Sequence, residues 1–332
     1  MKKLLVLILS IIFCVTPLWG CGKVDNNFIK LDYFRADRYT ATIVENKPFV
    51  FWANSEGLHR KSKETQEISQ LPAGKNINYL SVYGDFLYYV IDESELCRIN
   101  INTKAAESIF KLNENYMCQI QDYSVVDEKV FFLNTHVLFY YDIPSRSITE
   151  LKNITVETLQ IVGEDIYFID HAERTKTVYV FSMSDNFCKP VLGDGKYTPY
   201  EKAYMDFRIV NGNIYYTQAM PSGTYVMPLL GEEKIIADGR STFICESSLS
   251  EGLYYMSYGL EESHLYFRDK DGNEEPACFS MKELNAATGV AVVDGYVYYN
   301  SGYERVLDDS GHYVYNYGNS KPVMQKIFDR EQ

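Results

Sequence analysis

Short apolar and aromatic runs recur along this chain, each preceded by turn residues and followed by a second short strand pattern. Six repeat lengths separate Phe51 from Tyr299, or about 41 residues per repeat. A self-similar pattern of this length indicates one unit of supersecondary structure per repeat. The runs are Phe49-Val50-Phe51, Leu87-Tyr88-Tyr89, Val130-Phe131-Phe132, Ile166-Tyr167-Phe168, Ile214-Tyr215-Tyr216, Leu253-Tyr254-Tyr255 and Val297-Tyr298-Tyr299.

Turn residues that tolerate positive φ stand before most of these runs, which predicts tight hairpins. They include Gly84-Asp85, Asp127-Glu128, Gly163-Glu164, Asn211-Gly212-Asn213 and Asp294-Gly295. A second strand follows each run, as in Leu96-Cys97-Arg98-Ile99, and a further polar turn leads to another short apolar strand such as Glu107-Ser108-Ile109. The pattern predicts four short antiparallel strands per repeat.

Four-stranded antiparallel units repeated at this period predict an all-β protein, a seven-bladed β-propeller over residues 38–330. Burial of both sheet faces between neighbouring blades explains why the runs are continuous rather than alternating. The 29 tyrosines fit such packing, because each offers an apolar ring and a hydroxyl that can reach water or a backbone group. An aromatic platform for carbohydrate is the alternative interpretation of the same tyrosines.

The first residues have the layout of an export signal, with Lys2 and Lys3 before an apolar run over residues 4–15. That run is too short for a transmembrane helix, which takes roughly 20 residues. Residues 18–21, Leu-Trp-Gly-Cys, resemble the lipobox of bacterial lipoproteins, although Trp19 replaces the small residue usual there. The resemblance implies a signal peptide over residues 1–20, lipid attachment at Cys21, and a lipidated N-terminus and linker over residues 21–37. An ordinary secretory signal is the alternative.

The net charge of the mature chain limits the classes of partner that it can bind. Without residues 1–20 it has 30 Lys and Arg against 45 Asp and Glu, a net charge of −15. This charge argues against nucleic acid as a partner and against electrostatic docking on anionic lipid. We therefore expect a monomer at the extracytoplasmic face of the cell membrane, held there by the lipid anchor alone.

Cysteine and histidine spacing predicts neither a metal site nor a cofactor. Five cysteines besides Cys21 remain in the mature chain, so at least one of them is unpaired within the molecule. We expect buried, unpaired thiols, because the spacing has no Cys-x-x-Cys cluster. The five histidines are dispersed as well. Asp269-Lys270-Asp271-Gly272-Asn273 has its glycine too early for a helix-loop-helix calcium loop, and we interpret it as a plain hairpin turn.

The second repeat carries a resemblance to a known group. Gly84-Asp85-Phe86-Leu87-Tyr88-Tyr89, followed by Leu96-Cys97-Arg98-Ile99-Asn100 and Thr103, resembles the propeller related to the low-density-lipoprotein receptor, found in Firmicutes as a domain of unknown function. Looser copies cover most of residues 38–330. The receptor relatives usually have six blades, so the resemblance makes six blades the alternative to seven. It implies a fold and no particular activity.

No catalytic residue is predicted, because the chain lacks a Gly-rich phosphate loop and the tryptophan-rich or Asp-box repeats of enzymatic propellers. We expect a binding or scaffolding module for a protein or a cell-wall glycan. A carbohydrate-active hydrolase or lyase, which needs two carboxylates across a cleft, is the alternative. The longest loop, residues 300–312, is the first place to look for a ligand, although a longer solvated hairpin is the favoured interpretation. It includes Tyr303, Glu304, Arg305, Asp308, Asp309 and His312.

Overall fold

The computed structural model describes β-strands joined by turns and bends, in agreement with the all-β prediction. Within the described residues there is no helix with the length and apolar character needed to cross a membrane. For some strand residues only the backbone is described. The described residues are 29, 31, 41–112, 119–120, 122–170, 177–184, 187–192, 204–210, 212–218, 223–228, 234–238, 240–246, 252–258, 263–269, 271–277, 290–300, 304–307, 313–316 and 322–326.

The first two sheets each contain four antiparallel strands in sequence order. Sheet 1 consists of β1 Ile43–Glu45, β2 Phe49–Asn54, β3 Gly57–Ser62 and β4 Ile68–Gln70. Sheet 2 consists of β5 Ile77–Tyr83, β6 Phe86–Ile91, β7 Glu95–Asn100 and β8 Ala106–Lys111.

The next seven strands form one antiparallel sheet, which we call the double sheet. Its order along the sheet is again the sequence order. The strands are β9 Asp122–Val126, β10 Lys129–Asn134, β11 Val137–Asp142, β12 Ser147–Val162, β13 Asp165–Asp170, β14 Val178–Ser182 and β15 Phe187–Leu192.

Two four-stranded sheets follow, and then a three-stranded last sheet with a separate hairpin. The four-stranded sheets are β16 Tyr204–Val210, β17 Asn213–Gln218, β18 Gly223–Pro228, β19 Lys234–Asp238, and then β20 Arg240–Glu246, β21 Gly252–Tyr258, β22 Ser263–Asp269, β23 Glu274–Pro276. The last sheet is β24 Val290–Val293, β25 Tyr296–Asn300 and β28 Pro322–Lys326, and the hairpin is β26 Glu304–Leu307 with β27 Tyr313–Asn316.

These sheets differ from the predicted set of seven separate four-stranded units. β12 is one long strand, whose residues 147–155 pair with β11 and whose residues 156–162 pair with β13. The segment 151–158 has no Gly or Pro and includes four β-branched residues, so it continues extended where a turn was expected. The last sheet has three strands because β26 and β27 pair with each other instead.

The aromatic runs form the repeated core that the sequence predicts. They lie on β2, β6, β10, β13, β17, β21 and β25, where the second residue of each strand is at most 1% exposed. The fourth residue is equally characteristic, and it makes Trp52, not Phe51, the equivalent position in the first repeat. The fourth residues are Trp52, Tyr89, Phe132, Phe168, Tyr216, Tyr255 and Tyr299, all of them buried.

The two faces of each run pack against different neighbours. Phe51 and Ala53, at the third and fifth places of β2, share a cluster with Leu87 and Tyr89, at the second and fourth places of β6. The same relation joins β6 to β10, β10 to β13, β13 to β17 and β17 to β21. Burial on both faces, predicted from the continuous apolar runs, is thus confirmed for the described runs, in which only Phe49 and Tyr167 are partly rather than fully buried.

The last sheet packs against the first. Val50 and Trp52 of β2 share a cluster with Tyr298 of β25 and Val293 of β24. The strand β1 contacts both β5 and β24, and in between β5, β9, β12, β16, β20 and β24 contact one another in sequence order. These strands therefore lie innermost, and the sheets follow one another around a common axis.

The predicted hairpin turns have the expected backbone. Gly84, Gly163, Gly212 and Gly295 all have positive φ, between 56° and 77°. Asp127 takes the same conformation at 52°, which aspartate tolerates better than most residues. The turn chemistry read from the sequence is therefore confirmed at these positions.

Candidate functional site

Polar residues occupy the same place in the innermost strands of successive repeats. Each lies opposite the fifth residue of the neighbouring aromatic strand in the antiparallel register. Thr42 lies opposite Ala53, Asn78 opposite Val90, Asp122 opposite Leu133, Thr158 opposite Ile169, and Asp206 opposite Thr217. We call Thr42, Asn78, Asp122 and Thr158 the polar ring. The backbone of Asp206 continues the series, and its side chain is outside the described residues.

The polar ring is buried close to the axis of the fold. Thr42 and Thr158 are 0% and 1% exposed, and Asn78 and Asp122 are each 7% exposed. Paired residues in an antiparallel ladder point to the same face, so these side chains share the face that packs against the next sheet. Buried polar groups usually form hydrogen bonds, either with other groups of the protein or with a bound molecule.

Several buried polar atoms near this level have no hydrogen-bond partner among the described residues. They are Thr158 Oγ1 in the polar ring, Thr217 Oγ1 opposite Asp206, and Asn134 Nδ2 one strand position beyond Leu133. A buried polar group without a partner costs about 1–3 kcal/mol. These three atoms are sealed from solvent, whereas Asn78 and Asp122 keep a small exposed fraction and are the ring members most accessible to a bound molecule.

The polar ring lies next to the turns between the second and third strand of each repeat. We call the surface formed by these turns, and by the connections between sheets, the loop face. His59 stands at its edge, stacked on Trp52 with ring centroids 5.3 Å apart, and its Nε2 lies 3.0 Å from Asn54 Oδ1. Burial lowers the pKa of His59 and outweighs the opposing effect of Glu56. The imidazole is therefore neutral at pH 7 and can donate a hydrogen bond to Asn54.

Side-chain bonds join the loop-face turns to the connections between sheets. Asn76 Nδ2 donates to Asp92 Oδ1 over 2.9 Å, and Gln119 Nε2 donates to Glu93 Oε2 over 2.8 Å. Asp92 and Glu93 both have positive φ, at 48° and 57°, so they form a tight turn with left-handed backbone. The described loop face around the second repeat is thus ordered by hydrogen bonds and acidic in charge.

The residues singled out from the sequence are only partly described. Cys21 lies outside the described residues, so lipid attachment there stays a prediction. Within the long loop, Glu304 and Arg305 belong to β26, which pairs with β27, and the segment is therefore in part a hairpin. Tyr303, Asp308, Asp309 and His312 lie outside the described residues.

The expected burial of the thiols is confirmed at one position and wrong at another. Cys97 is buried and free, and burial raises the pKa of its thiol to about 11. Cys188 is free but exposed, because it lies on β15 at the outer edge of the double sheet, where no further strand covers it. Cys118 and Cys278 lie outside the described residues, and only the backbone of Cys245, on β20, is described.

The Asp269 segment is a hairpin turn, as interpreted from the sequence. Asp269 Oδ1 accepts hydrogen bonds from the amides of Asp271 and Asn273, at 2.9 and 2.8 Å, and Gly272 has a φ of +86°. The carboxylate is thus used by the turn itself. In the part of the chain that the structure describes, no group of three His, Cys, Asp or Glu side chains is placed to hold a metal ion.

The sequence interpretation missed the polar ring, although a signal was present. A polar residue stands 11 or 12 positions before the fifth residue of each of the first five aromatic strands. Thr42 and Ala53 are the first such pair, and Asp206 and Thr217 are the last. The hairpin turns alone predict this spacing, but only the register shows that it brings polar groups to one level.

Comparison with known proteins identifies similar folds and shows nothing about function. No family model and no curated protein matches the chain. A prolyl endopeptidase structure matches with a TM-score of 0.57 and 13% identity over 82% of this chain, which spans only 45% of that one. An oligogalacturonate lyase in complex with manganese matches at 0.54 and 11% identity, over 88% and 94% of the two chains.

The yeast protein Kluyveromyces lactis Hsv2 matches at 0.52 and 10% identity, over 86% of this chain and 95% of that one. Identities this low carry the fold alone, and the neighbours are β-propeller proteins. The chain is an all-β protein of antiparallel sheets, similar in architecture to β-propellers.

Proposed function

We propose that the chain is a seven-bladed β-propeller, anchored by lipid on Cys21 at the outer face of the cell membrane, that binds a neutral glycan or a protein at its loop face. The polar ring beneath that face is the observation on which the binding proposal depends. The Asn78 amide and the Asp122 carboxylate, on the two ring members with some exposure, suit a hydroxyl-rich ligand, because an amide donates and accepts hydrogen bonds and a carboxylate accepts them.

Seven blades follow if β12 is counted twice. Its first half completes the array of β9, β10 and β11, and its second half begins the array of β13, β14 and β15. The packing of the last sheet on the first supports a closed ring with no missing blade. Each of the seven aromatic strands then belongs to one blade, in agreement with the repeat count of the sequence.

Acidic charge favours a neutral ligand over an anionic one. Asp92 and Glu93 lie in the loop-face turns, and the mature chain as a whole has a net charge of −15. Carboxylates repel phosphate or sulfate groups at short range. Glycans without acidic substituents and protein surfaces with basic side chains both remain compatible with this face.

A binding experiment tests the proposal. The mature chain, residues 22–332, is used to capture partners from the native cell envelope and is applied in parallel to a glycan array. The double variant Asn78→Ala, Asp122→Asn should lower the affinity for the captured ligand roughly tenfold or more, because the Asn78 amide is removed and the charged Asp122 acceptor is replaced by a weaker, neutral amide. Asn102→Ala is the matched control, since Asn102 is exposed in the turn between β7 and β8, on the opposite face.

The outcomes separate the two function classes. An intact glycan or protein that needs the polar ring supports the binding module. A sugar returned shortened or unsaturated would assign the fold to a carbohydrate-active enzyme instead. The anchor is tested separately with Cys21→Ser in the full chain, which should move the protein from the membrane fraction to the soluble fraction.

A further inference from the structure

The contact between the first and last sheets, which we call the seam, combines apolar packing with charged groups. Glu45 Oε2 accepts a hydrogen bond from the amide of Asp294 over 3.1 Å and also contacts Lys63 Nζ. Lys61 Nζ lies 3.9 Å from Asp294 Oδ2. The Glu45 side chain is only 5% exposed, so these contacts are largely shielded from water. The seam therefore joins positions that are 249 residues apart in the chain.

Two residues from the N-terminal segment pack into this seam. Ile29 and Leu31 are partly buried against the cluster that contains Val50, Trp52 and Tyr298. Ile68 of β4 and Met324 of β28, both on outer strands, pack against the same cluster. The N-terminal segment thus packs against a cluster to which both the first sheet and the last sheet contribute.

We propose that Ile29 and Leu31 form a strap that holds the seam closed, and that the lipid on Cys21 thereby keeps the seam side of the propeller at the membrane surface. The second half of this inference rests on the lipid attachment proposed above. Ile29 lies eight residues after Cys21, so the tether spans about 26–29 Å at full extension. A compact chain of this length has a radius of gyration of roughly 19 Å, so the tether is shorter than the diameter of the protein and restricts which side faces the lipid.

The position of the strap follows from the cost of ring closure. Every other pair of neighbouring sheets is joined by a short connection, whereas the seam brings together two distant parts of the chain, at a larger cost in chain entropy. Apolar burial of Ile29 and Leu31 across the seam offsets part of that cost. The β12–β15 half of the double sheet lies midway around the series of sheets, so it would face away from the membrane.

Trypsin cleavage after Lys30 tests the strap in the unlipidated chain, residues 22–332, because the bond lies between the two strap residues. We expect the double variant Ile29→Ser, Leu31→Ser to be cut there at least tenfold faster than the parent. Each cleavage rate is divided by the rate for a synthetic peptide of residues 23–37 that carries the same residues at 29 and 31. This division removes the direct effect of the substitutions on trypsin. Val162→Ser is the control, since Val162 is 42% exposed on β12 and its loss should leave cleavage unchanged.

Equal protection of the bond after Lys30 in parent and double variant would overturn the strap. The milder variant Ile29→Ala serves if the double variant does not fold, and it should still accelerate cleavage several-fold. Because this assay uses no lipid, its result stands whether or not Cys21 is acylated.

Fluorescence transfer tests the orientation of the lipidated chain on vesicles that carry an acceptor dye on the headgroups. A donor is placed site-specifically at Glu67, next to β4 at the seam, or at Lys189 on β15, both exposed. We expect stronger transfer from Glu67 than from Lys189. Equal transfer would overturn the orientation, and a full chain that never acquires lipid would overturn the proposed anchor, while the trypsin result would still decide the strap.

Discussion

Hydrogen bonds from side chains to the backbone of the neighbouring sheet tie the repeats together at single residues. The Tyr123 hydroxyl donates to the carbonyl of Tyr79 over 2.6 Å, and Arg60 Nη1 donates to the carbonyl of Ile101 over 2.8 Å. The Tyr123 bond shows the role expected of the tyrosines, a buried ring whose hydroxyl reaches a backbone group. These hydrogen bonds satisfy backbone groups that have no partner in a β-ladder.

Gln160 makes the most complete of these ties. Its Nε2 donates to the carbonyl of Ile209 over 3.0 Å, and its Oε1 accepts from the amide of Ile209 over 2.6 Å. Gln160→Ala should lower the free energy of unfolding by about 2–4 kcal/mol, because two buried backbone groups lose their partners. Urea unfolding at neutral pH measures the change.

Gln70→Ala is the matched control for Gln160→Ala. The Gln70 amide also donates to a backbone carbonyl, that of Glu56 at 2.9 Å, but in an exposed position. Its loss should cost about 0.5 kcal/mol or less, since water replaces the lost partner. Similar losses for the two variants would contradict a special role for the buried tie.

At the scale of elements, the strands that carry the aromatic runs determine the core. Their second residues are aliphatic in all seven repeats and face the preceding sheet, so each fills a defined space between two sheets. Their first and last residues are more variable because they adjoin turns. The strand β12 shows the limit of the repeat, since a segment without Gly or Pro passes from one array to the next without a loop.

Leu87, the second residue of β6, tests the contribution of this position. It is fully buried in the cluster with Phe51 and Leu58. Leu87→Ala should lower the free energy of unfolding by about 2–5 kcal/mol, since it removes apolar contacts and leaves a cavity. Val162→Ala, on an exposed strand position, should change it by about 0.5 kcal/mol at most. A small loss for Leu87→Ala in urea unfolding would show that the sheets repack easily.

At the scale of the whole molecule, closure between the first and last sheets determines whether the repeats form a ring. The seam contains an apolar cluster and the buried carboxylate of Glu45 with its two partners. Removal of one member of a buried ion pair leaves the other charge without compensation. The seam is therefore the place where a single polar substitution should act on the entire fold.

Glu45→Ala should lower the free energy of unfolding by about 3–5 kcal/mol and should accelerate hydrogen exchange of the Asp294 amide in particular. Glu107→Ala is the control, because Glu107 pairs with Arg98 at 2.6 Å but is 55% exposed. Its loss should cost less than about 1 kcal/mol. If hydrogen exchange of the Asp294 amide is unchanged in Glu45→Ala, the Glu45 contacts do not stabilise the closure of the ring.

The sequence by itself determined the strand class, the seven aromatic runs and the turns before them. These features depend on local patterns, namely apolar runs, residues that allow positive φ, and a mean repeat length of about 41 residues. The spacing of polar residues before the first five runs was visible in the sequence too, but the sequence did not show that these residues share one level of the fold. The N-terminal export signal and Cys21 are likewise local patterns, and they remain predictions.

Only the tertiary structure decided how the repeats are joined. The continuity of β12 and the pairing of β26 with β27 depend on which strands compete for each edge. The polar ring depends on register, which sets Thr158 opposite Ile169 and so aligns it with Asn78 and Asp122. The seam between Glu45 and Asp294 depends on contacts between distant parts of the chain, and no local pattern encodes such contacts.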